Sequence, residues 1–247
     1  MLLNAQRMAR LMNISTIKTR LAQTKKRTVK MWKYGMSAIL PYNPMNGDKS
    51  LLEAEYSGGV WDYLRGLNEL ARFSVVSGYC HFLKGNGSIL EIGCGEGILQ
   101  ERLCPLKYSR FVGIDISAEA IRRTSRKQDH KTSFFVEDAR VYHPNDLFDV
   151  IIFNECLEYF QDPLGLVQRY ESFLETGGIY IVSMFTATDT ARTKHIWKML
   201  ESVYPVEAQT RVSTRPGYTW NIKVLIPSKQ QDKNVKPVGQ LLGWARR

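Results

Sequence analysis

The chain has 247 residues, of which 44% are hydrophobic and 23% are charged. This composition is ordinary for a soluble globular protein, and the length fits one large α/β domain with extensions better than two small domains. The sequence contains no run of 18 or more apolar residues, so it predicts no transmembrane helix.

The net charge of +10 is distributed unevenly along the chain. Residues 1–47 carry nine Lys or Arg and no acid, whereas residues 48–228 carry 20 basic and 23 acidic residues. Residues 229–247 carry five basic residues and one acid. Because the positive charge lies at the two ends and not on the central domain, it argues against a nucleic-acid partner.

Composition and periodicity divide the chain into three parts. Residues 1–50 are predicted to be a basic helical extension and linker, because apolar residues recur at spacings of three and four between Leu11 and Leu21. Residues 51–228 are predicted to be one domain, and residues 229–247 a loose basic tail. Three roles remain open for the basic extension: a solvated arm, docking to an anionic membrane surface or an acidic partner, or contact with nucleic acid.

The N-terminal segment does not resemble a secretory signal, because Arg7, Arg10 and Lys18 interrupt its apolar residues. Its basic, acid-free composition also fits a mitochondrial transit peptide. The four cysteines include no C-x-x-C pair, so a disulfide framework is not expected. The default expectation is a cytoplasmic protein, and peripheral attachment to a membrane is the alternative.

The first element of the central domain is predicted over residues 59–83. Trp61, Leu64, Leu67 and Leu70 carry a helical period, which predicts one amphipathic helix with these residues towards the core. The segment Lys84-Gly85-Asn86-Gly87 is a glycine-rich stop. Trp61 and two nearby aromatic residues, Tyr56 and Tyr63, could form a lid over a ligand or hold an aromatic ligand. The alternative is core packing, which is favoured for Trp61.

From residue 88 onward the sequence alternates strand and helix patterns. Strands are predicted over 88–94, 110–117, 133–139, 149–155 and 179–185, helices over 97–103, 118–127, 163–175 and 191–203, and a final antiparallel pair of strands over 206–213 and 219–226. Alternating β and α segments indicate a mostly parallel sheet that is covered on both faces.

The strongest motif is the segment EIGCGEG over residues 91–97, which follows a strand and opens a helix. Glycines at such a turn let the backbone bend sharply and approach a ligand closely. A purely structural turn is the alternative, because a glycine-rich turn alone is not specific.

Two aspartates extend this motif. Asp115 ends the second predicted strand, 22 residues after Gly93, where a carboxylate can accept two hydrogen bonds from a ribose diol. Asp138 ends the third predicted strand, where a carboxylate can accept a hydrogen bond from an exocyclic amine such as that of adenine. The alternatives are an N-cap or surface acid for Asp115 and a turn-forming residue for Asp138. Three successive strand ends that carry Gly, Asp and Asp predict one crevice.

The segments LEIGCGEG, VGIDIS, FVEDA, FDVIIFNECLEYFQDP and LETGGIYIVS together resemble the ordered motifs of class I S-adenosylmethionine-dependent methyltransferases. The resemblance covers about residues 55–227. An NAD-binding domain would show G-x-G-x-x-G, whereas this chain has G-x-G-x-G after an acid, Glu91. The resemblance implies a Rossmann-like, doubly wound α/β fold with a mostly parallel seven-stranded sheet, a C-terminal antiparallel hairpin and the N-terminal helical extension. It also implies S-adenosyl-L-methionine as the cofactor.

The resemblance implies cofactor contacts at the first two strand ends. After Glu91, Gly93 and Gly95 would lie against the methionine part of the cofactor. Asp115 would hold the ribose hydroxyls, and Ile116 would pack on adenine.

Further contacts are implied at the next two strand ends and on the preceding helix. Asp138 and the backbone of Ala139 would bind adenine, and Asn154 would face the methionine part. Arg72 lies 21 residues before Gly93, where some small-molecule members use an arginine to bind the methionine carboxylate. The alternative for Arg72 is a solvated helix arginine.

Methyl transfer from a sulfonium is an in-line displacement, in which the protein mainly aligns the reactants and excludes water. A general base is needed only if the acceptor carries a proton of high pKa. The candidates are Glu155, Glu158 and Tyr159 after the fourth strand, and His195 after the fifth. A helical turn would place Glu155 and Glu158 on one face. The alternatives are first-turn acids that complement a helix N-terminus, and a surface position for His195.

No metal site is expected from the sequence. Glu155-x-x-Glu158 resembles the acidic pair of small-RNA 2′-O-methyltransferases, but Tyr159 stands where such an enzyme has a histidine, and His195 alone is not enough. The sequence predicts an enzyme that methylates an O or N atom of a small-molecule, glycan or lipid-like acceptor. An RNA methyltransferase that uses the basic ends, and a cofactor-binding fold without catalysis, are the alternatives.

Overall fold

The computed structural model describes residues 44–45, 47–103, 107–186, 191–215 and 217–227. The predicted apolar stripe between Leu11 and Leu21 and the predicted tail of residues 229–247 lie outside these ranges. None of the helices in the described ranges is both long enough and apolar enough to cross a bilayer.

Seven strands alternate with helices along the described chain. The strands are β1 (Ser88–Ile92), β2 (Arg110–Asp115), β3 (Thr132–Val136), β4 (Phe148–Asn154), β5 (Leu174–Phe185), β6 (Val206–Ser213) and β7 (Thr219–Leu225). The α-helices are α1 (Lys49–Ser57), α2 (Leu67–Lys84), α3 (Ile98–Leu103), α4 (Ala118–Arg122), α5 (Pro163–Arg169) and α6 (Ala191–Val203). Short 3-10 helices lie at Asp62–Arg65, Ser125–Lys127, Leu157–Tyr159 and Tyr170–Phe173.

The strands form one sheet in the order β3-β2-β1-β4-β5-β7-β6. The first five strands in this order pair in parallel, and β7 pairs antiparallel with both β5 and β6. The predicted Rossmann-like α/β fold with a mostly parallel seven-stranded sheet and a C-terminal antiparallel hairpin is therefore confirmed.

Strand β4 lies at the centre of the core. Its side chains alternate between two hydrophobic clusters: Val150 and Ile152 face one cluster, and Ile151 and Phe153 face the other. All four are fully buried, and each such side chain contributes about 1.5–3 kcal/mol of stability through burial. Residues of α2, α3 and α4 complete the first cluster, and residues of α5 and α6 complete the second.

The single helix predicted over residues 59–83 is wrong, because the segment contains a short 3-10 helix followed by α2. Helix α1 ends before Gly58, a turn follows in which Gly59 has a φ of +65°, and a 3-10 helix precedes α2. The residues that face the core from α2 include Phe73, Val76 and Cys80. Leu67 is instead 82% exposed, because the period that begins at Trp61 crosses an element boundary.

Two other predicted helices end early. Helix α5 stops at Arg169, and β5 begins at Leu174 instead of residue 179, because Leu174 pairs with Phe148 of β4. Helix α4 stops at Arg122, so the segment predicted as one helix over 118–127 closes with a 3-10 turn. These corrections move boundaries and leave the order of the strands unchanged.

The topology places a crevice at one edge of the sheet. The chain leaves β1 towards β2 on one side, and it leaves β4 towards β5 on the other side. Ligands of such sheets bind beyond the carboxyl ends of the strands at the point where the strand order reverses. A binding site is therefore expected at the carboxyl ends of β1, β2 and β4.

Candidate active site

A cavity of about 930 Å³ lies beyond the carboxyl ends of β1, β2 and β4. Its volume is near the upper end of the range of about 300–1,000 Å³ that is typical of small-molecule sites. The predicted site residues in its wall are Arg72, Glu91, Gly93, Gly95, Asp115, Ile116, Asp138, Ala139, Asn154, Glu155 and Tyr159.

The turn after β1 requires glycine for two reasons. Gly93 and Gly95 have φ values of +69° and +54°, a backbone conformation that residues with a side chain rarely adopt. A Cβ at Gly93 would lie 2.8 Å from Cβ of Cys156, and a Cβ at Gly95 would lie 2.7 Å from the hydroxyl oxygen of Tyr56. The glycines therefore form the floor of the cavity, close to two neighbouring side chains.

Asp115 joins the end of β2 to this turn. One carboxylate oxygen accepts a hydrogen bond from the backbone N–H of Gly95 at 2.9 Å, and the other accepts from the N–H of Ser117 at 2.9 Å. Burial raises the pKa of Asp115 to about 6, although both hydrogen bonds favour the charged form. Asp115 is thus a buried carboxylate in the cavity wall, which excludes the alternative of a surface acid.

Arg72 enters the cavity from α2 and is only 2% exposed, so it is not a solvated helix arginine. Its guanidinium donates to the side-chain oxygen of Asn154 and to Glu69 at 3.2 Å. The guanidinium carbon lies 4.0 Å from the ring centroid of Phe73. The Nε–H of Arg72 is buried without a hydrogen-bond partner among the described residues.

Glu91, at the end of β1, is a second buried group with unused hydrogen-bonding capacity. One oxygen accepts from the amide nitrogen of Asn154 at 3.4 Å, and the other has no hydrogen-bond partner within the described ranges. Burial raises the pKa of Glu91 to about 8. Arg72, Asn154 and Glu91 thus form a connected polar cluster inside an otherwise apolar part of the fold.

Asp138 has a different environment, because it lies after the end of β3 and is partly exposed. Its carboxylate accepts from the backbone N–H of Arg140 at 2.9 Å and forms a salt bridge with the same residue. The hydrogen bond from the guanidinium of Arg140 lowers the pKa of Asp138. The carbonyl of the adjacent Ala139 accepts a hydrogen bond from the hydroxyl of Tyr170 at 3.0 Å. These contacts fit the turn-forming alternative for Asp138, and a contact with adenine stays a prediction.

A segment that we call the cover, residues 49–65, forms the opposite wall. It contains α1 and the 3-10 helix at Asp62–Arg65. Tyr56 and Trp61 stack with ring centroids 5.8 Å apart, and Trp61 and Tyr63 stack at 6.4 Å. All three aromatic side chains line the cavity.

Glu155 ties the end of β4 to the end of β5. One oxygen accepts from the hydroxyl of Ser183 at 2.9 Å, and the other accepts from the backbone N–H of Phe185 at 3.0 Å. The φ of Glu155 is +61°, and the 3-10 helix begins only at Leu157. The expectation that Glu155 and Glu158 share a face of one helical turn is therefore wrong.

The other base candidates lie in contrasting environments. Tyr159 lines the cavity, and burial raises its pKa well above the usual value. Glu158 is buried outside the cavity wall, and His195 is exposed on α6. The catalytic roles of these residues and of Glu155 stay predictions. Among the described residues, no group of three or more His, Cys, Asp or Glu side chains is arranged to hold a metal ion.

Sequence patterns do not reveal Glu53, a charged residue that positions the cover. Glu53 accepts hydrogen bonds from the hydroxyl of Ser117 at 2.8 Å and from the N–H groups of Ala118 and Glu119 at 2.6 and 3.0 Å. These partners lie 64 to 66 residues away in the chain, so no local pattern could reveal them.

The strand order, the glycine turn and the buried acid at the end of β2 define the class I S-adenosylmethionine-dependent methyltransferase fold. A family model described as "Methyltransferase domain" matches residues 63–217, more than half of the chain. The chain therefore belongs to the methyltransferase-domain family, in the class whose cofactor is S-adenosylmethionine.

Similarity to individual proteins is partial. The chain is 36% identical over 101 residues to malonyl-[acyl-carrier protein] O-methyltransferase 2 of Ilyobacter polytropus, covering 40% of this chain and 39% of that protein. It is 30% identical over 131 residues to ubiquinone biosynthesis O-methyltransferase of Haemophilus ducreyi, covering 49% of this chain and 54% of that protein. The chain thus spans about half the length, or less, of these relatives.

A solved structure shares the fold. The N-methyltransferase NodS from Bradyrhizobium japonicum, in complex with S-adenosyl-L-homocysteine, matches with a TM-score of 0.62 and 20% identity. The match covers 72% of this chain and 96% of that chain. At this identity the likeness concerns the fold.

Proposed function

We propose that this chain is an enzyme that binds S-adenosylmethionine in the cavity and transfers its methyl group to an oxygen or nitrogen of a small-molecule acceptor, a class that includes glycans and lipid-like molecules. The observation that carries the proposal is the buried polar cluster of Arg72, Asn154 and Glu91 beside the glycine turn.

The cluster is chemically suited to the amino-acid end of the cofactor. Arg72 offers a buried N–H, and Glu91 offers a buried oxygen, that find no hydrogen-bond partner among the described residues. Leaving such a group unsatisfied costs about 1–3 kcal/mol, so a ligand that supplies both partners is favoured. A carboxylate would pair with Arg72 and an ammonium would pair with Glu91.

The other strand ends suit the nucleoside. A carboxylate has about four lone-pair sites, so Asp115 can still accept hydrogen bonds from ribose hydroxyls while it holds Gly95 and Ser117. Ile116 lies beside Asp115 in the cavity wall and offers an apolar surface. Further along the same wall, Asp138 and Ala139 would meet the adenine.

The remaining wall is suited to an uncharged or flat part of an acceptor. Aromatic side chains in the cavity wall offer apolar contact, and they include Trp61, Tyr63, Phe185 and Tyr218. Apolar pockets with a few placed polar groups are typical of small-molecule sites. This composition supports a small-molecule acceptor.

The cofactor, when bound, supplies a methyl group that is already activated on a sulfonium. The residues of this chain would hold the acceptor in line and exclude water, and such alignment can contribute about 7–11 kcal/mol. Glu155 already accepts hydrogen bonds through both oxygens, and burial raises the pKa of Tyr159 above its ordinary value, which makes Tyr159 harder still to deprotonate. We therefore assign the larger part of the rate enhancement to alignment.

Thermal unfolding with S-adenosylhomocysteine tests the cofactor. At 100 times its dissociation constant, a ligand stabilises the folded state by about 2.7 kcal/mol, which is a shift of roughly 5–10 °C for a domain of this size. We expect this shift with S-adenosylhomocysteine but not with NAD. It should disappear in Asp115→Ala and persist in Asp129→Ala, which changes an exposed aspartate. A shift with NAD alone, or with neither ligand, would refute the proposal.

Transfer of a radioactive methyl group tests the acceptor class. Phenols, oligosaccharides, lipid-like alcohols, amines and RNA would be compared at two salt concentrations. We expect turnover on a small-molecule class that is insensitive to salt. Turnover on RNA alone, with a rate that falls steeply as salt rises, would replace the acceptor part of the proposal and leave the cofactor part intact.

A further inference from the structure

Charged side chains hold the cover against the glycine turn. Glu96 lies in the turn itself, between Gly95 and Gly97, and is buried. One oxygen of Glu96 accepts from the guanidinium of Arg123 at 2.5 Å, and the other accepts from the guanidinium of Arg65 at 3.1 Å. A single carboxylate of the turn therefore contacts both the cover and the segment that follows α4.

Arg123 extends this connection to α1. Its guanidinium also donates to the backbone carbonyl of Tyr56 at 2.5 Å and to Glu119 at 2.9 Å, and it lies 3.5 Å from Asp62. The planar fork of an arginine can satisfy several acceptors at once, which a lysine cannot reproduce. One side chain thus contacts the glycine turn, the end of α1 and the 3-10 helix of the cover.

The hydroxyl of Tyr56 completes the connection. It lies so close to Gly95 that a Cβ there would be 2.7 Å away. The turn that forms the floor of the cavity is therefore the same turn that fixes the cover above it. Movement of the cover away from the turn has to break the contact of Arg65 with Glu96 and the contacts of Arg123 with Tyr56 and Asp62.

We propose that Glu96 and Arg123 are positioning residues that hold the cover over the glycine turn, and that they thereby slow the release of an adenosyl ligand from the cavity. The identity of the ligand rests on the proposed function. Among the described hydrogen bonds, Arg65, Glu96 and Arg123 share none with Arg72, Asn154 or Glu91, so we assign them to retention of the ligand and not to its recognition.

The chain offers a matched control on the same helix. Arg122 precedes Arg123, is 71% exposed, and pairs with Glu119 at 2.7 Å. Removing Arg122 therefore removes one arginine charge from the same helix and leaves the contacts of Arg123 with Glu96 and Tyr56 in place. A general effect of charge or helix stability would appear equally in both variants.

The experiment uses the full chain and compares Arg123→Ala, Arg123→Lys and Arg65→Gln with Arg122→Ala and wild type. Amide hydrogen exchange without ligand measures opening of residues 49–65. Stopped-flow displacement measures the release rate of S-adenosylhomocysteine. We expect faster exchange over the cover but not over β1 and β4, and release that is about tenfold faster in Arg123→Ala. Arg122→Ala should behave as wild type.

Salt provides a second signature. Because the holding contacts are partly exposed ion pairs, raising the salt concentration should speed ligand release from wild type. The release rate of Arg123→Ala should respond much less, since the pairs that salt would screen are already broken. A merely structural loss of stability would leave the salt response of the release rate unchanged.

Each outcome decides the proposal. Equal exchange in Arg123→Ala and Arg122→Ala would overturn it, and so would faster exchange with an unchanged release rate. If Arg123→Ala does not fold, Arg65→Gln removes the other contact of Glu96 and gives the same comparison. If wild type does not bind S-adenosylhomocysteine, the proposed function fails, and the exchange comparison alone decides whether these residues hold the cover.

Discussion

The two walls of the cavity are stabilised by different forces. The strand-end wall consists of buried residues such as Glu91, Asp115 and Asn154, which lie at the carboxyl ends of the mostly buried strands β1, β2 and β4. The cover is held by ion pairs whose side chains are partly exposed, by 43% at Arg65 and by 64% at Asp62. Exposed ion pairs contribute about 0–1 kcal/mol each and weaken with salt, whereas core burial does not. One wall is therefore rigid, and the other opens at lower cost.

The largest expected effect tests the rigid wall. Arg72→Leu leaves the buried Glu69 without its cation, and breaking a buried pair costs about 3–5 kcal/mol. The double variant Arg72→Leu/Glu69→Leu should recover most of the free energy of unfolding, as measured with urea, because no buried charge is left unpaired. Neither variant should bind S-adenosylhomocysteine. Recovery of binding in the double variant would contradict the role proposed for Arg72.

The second prediction concerns the pH dependence of the same wall. Because the pKa of Glu91 is about 8 in the folded state and lower when unfolded, the folded state binds more protons between about pH 4.5 and pH 8. The free energy of unfolding should therefore fall as the pH rises through this window. Glu91→Gln removes the titration and should exceed wild type by about 4 kcal/mol at pH 8, with almost no advantage at pH 4.5.

The matched control for this pH series is Glu175→Gln, which changes an exposed glutamate. It should follow the pH profile of wild type. Equal profiles for Glu91→Gln and wild type, measured by urea unfolding, would show that Glu91 is not the group that titrates in this window.

A third prediction lies at the contact between the two walls. Gly95→Ala should cost about 1–2 kcal/mol through its left-handed backbone alone, and its Cβ should also displace the cover through Tyr56. Adding Tyr56→Phe removes the hydroxyl that the new Cβ would meet, so hydrogen exchange of the cover should return towards the level of Tyr56→Phe alone. The loss of stability should remain, and its disappearance in the double variant would refute the backbone argument.

The smallest expected effect tests whether Leu67 is exposed, as it is in α2, or buried, as one long helix over residues 59–83 would require. Leu67→Gln should change the free energy of unfolding by less than about 0.5 kcal/mol, because Leu67 is almost entirely exposed. Val76→Ala on the same helix should cost about 2 kcal/mol, because Val76 is fully buried. Equal losses of unfolding free energy in the two variants would show that Leu67 faces the core, as the sequence predicts.

The strand-end wall could be predicted from the sequence because its signals are local. Strands β1, β2 and β4 are apolar runs that end at or just before a polar or glycine residue, and this pattern locates Gly93, Asp115 and Asn154 without any distant partner. The identity of Arg72 as a buried residue could not be derived, because the apolar period around it was assigned to one helix instead of two elements.

The cover could not be predicted for a physical reason. Helix α1 buries only Tyr56 among its nine residues, so it carries no apolar stripe. The position of the cover is set by Glu53, Arg65 and Arg123. Leaving aside contacts within one helix, the partners of these residues lie 27 to 67 residues away in the chain. Ion pairs across such separations leave no periodicity in a sequence. The early start of β5 at Leu174 was hidden for the same reason, since only pairing with Phe148 defines it.

The boundary of the family match divides the cavity wall into a part that the family shares and a part that precedes the shared domain. The match begins at residue 63, so α1 and Trp61 precede the shared domain, although Tyr56 and Trp61 line the cavity. The part of the cover that contains α1 and Trp61 is thus encoded upstream of the match, whereas residues 63–65 of the cover and the floor of the cavity are encoded within it. Exchange of this upstream segment between members of the family would change which molecules fit the cavity and would leave the chemistry of its floor unchanged.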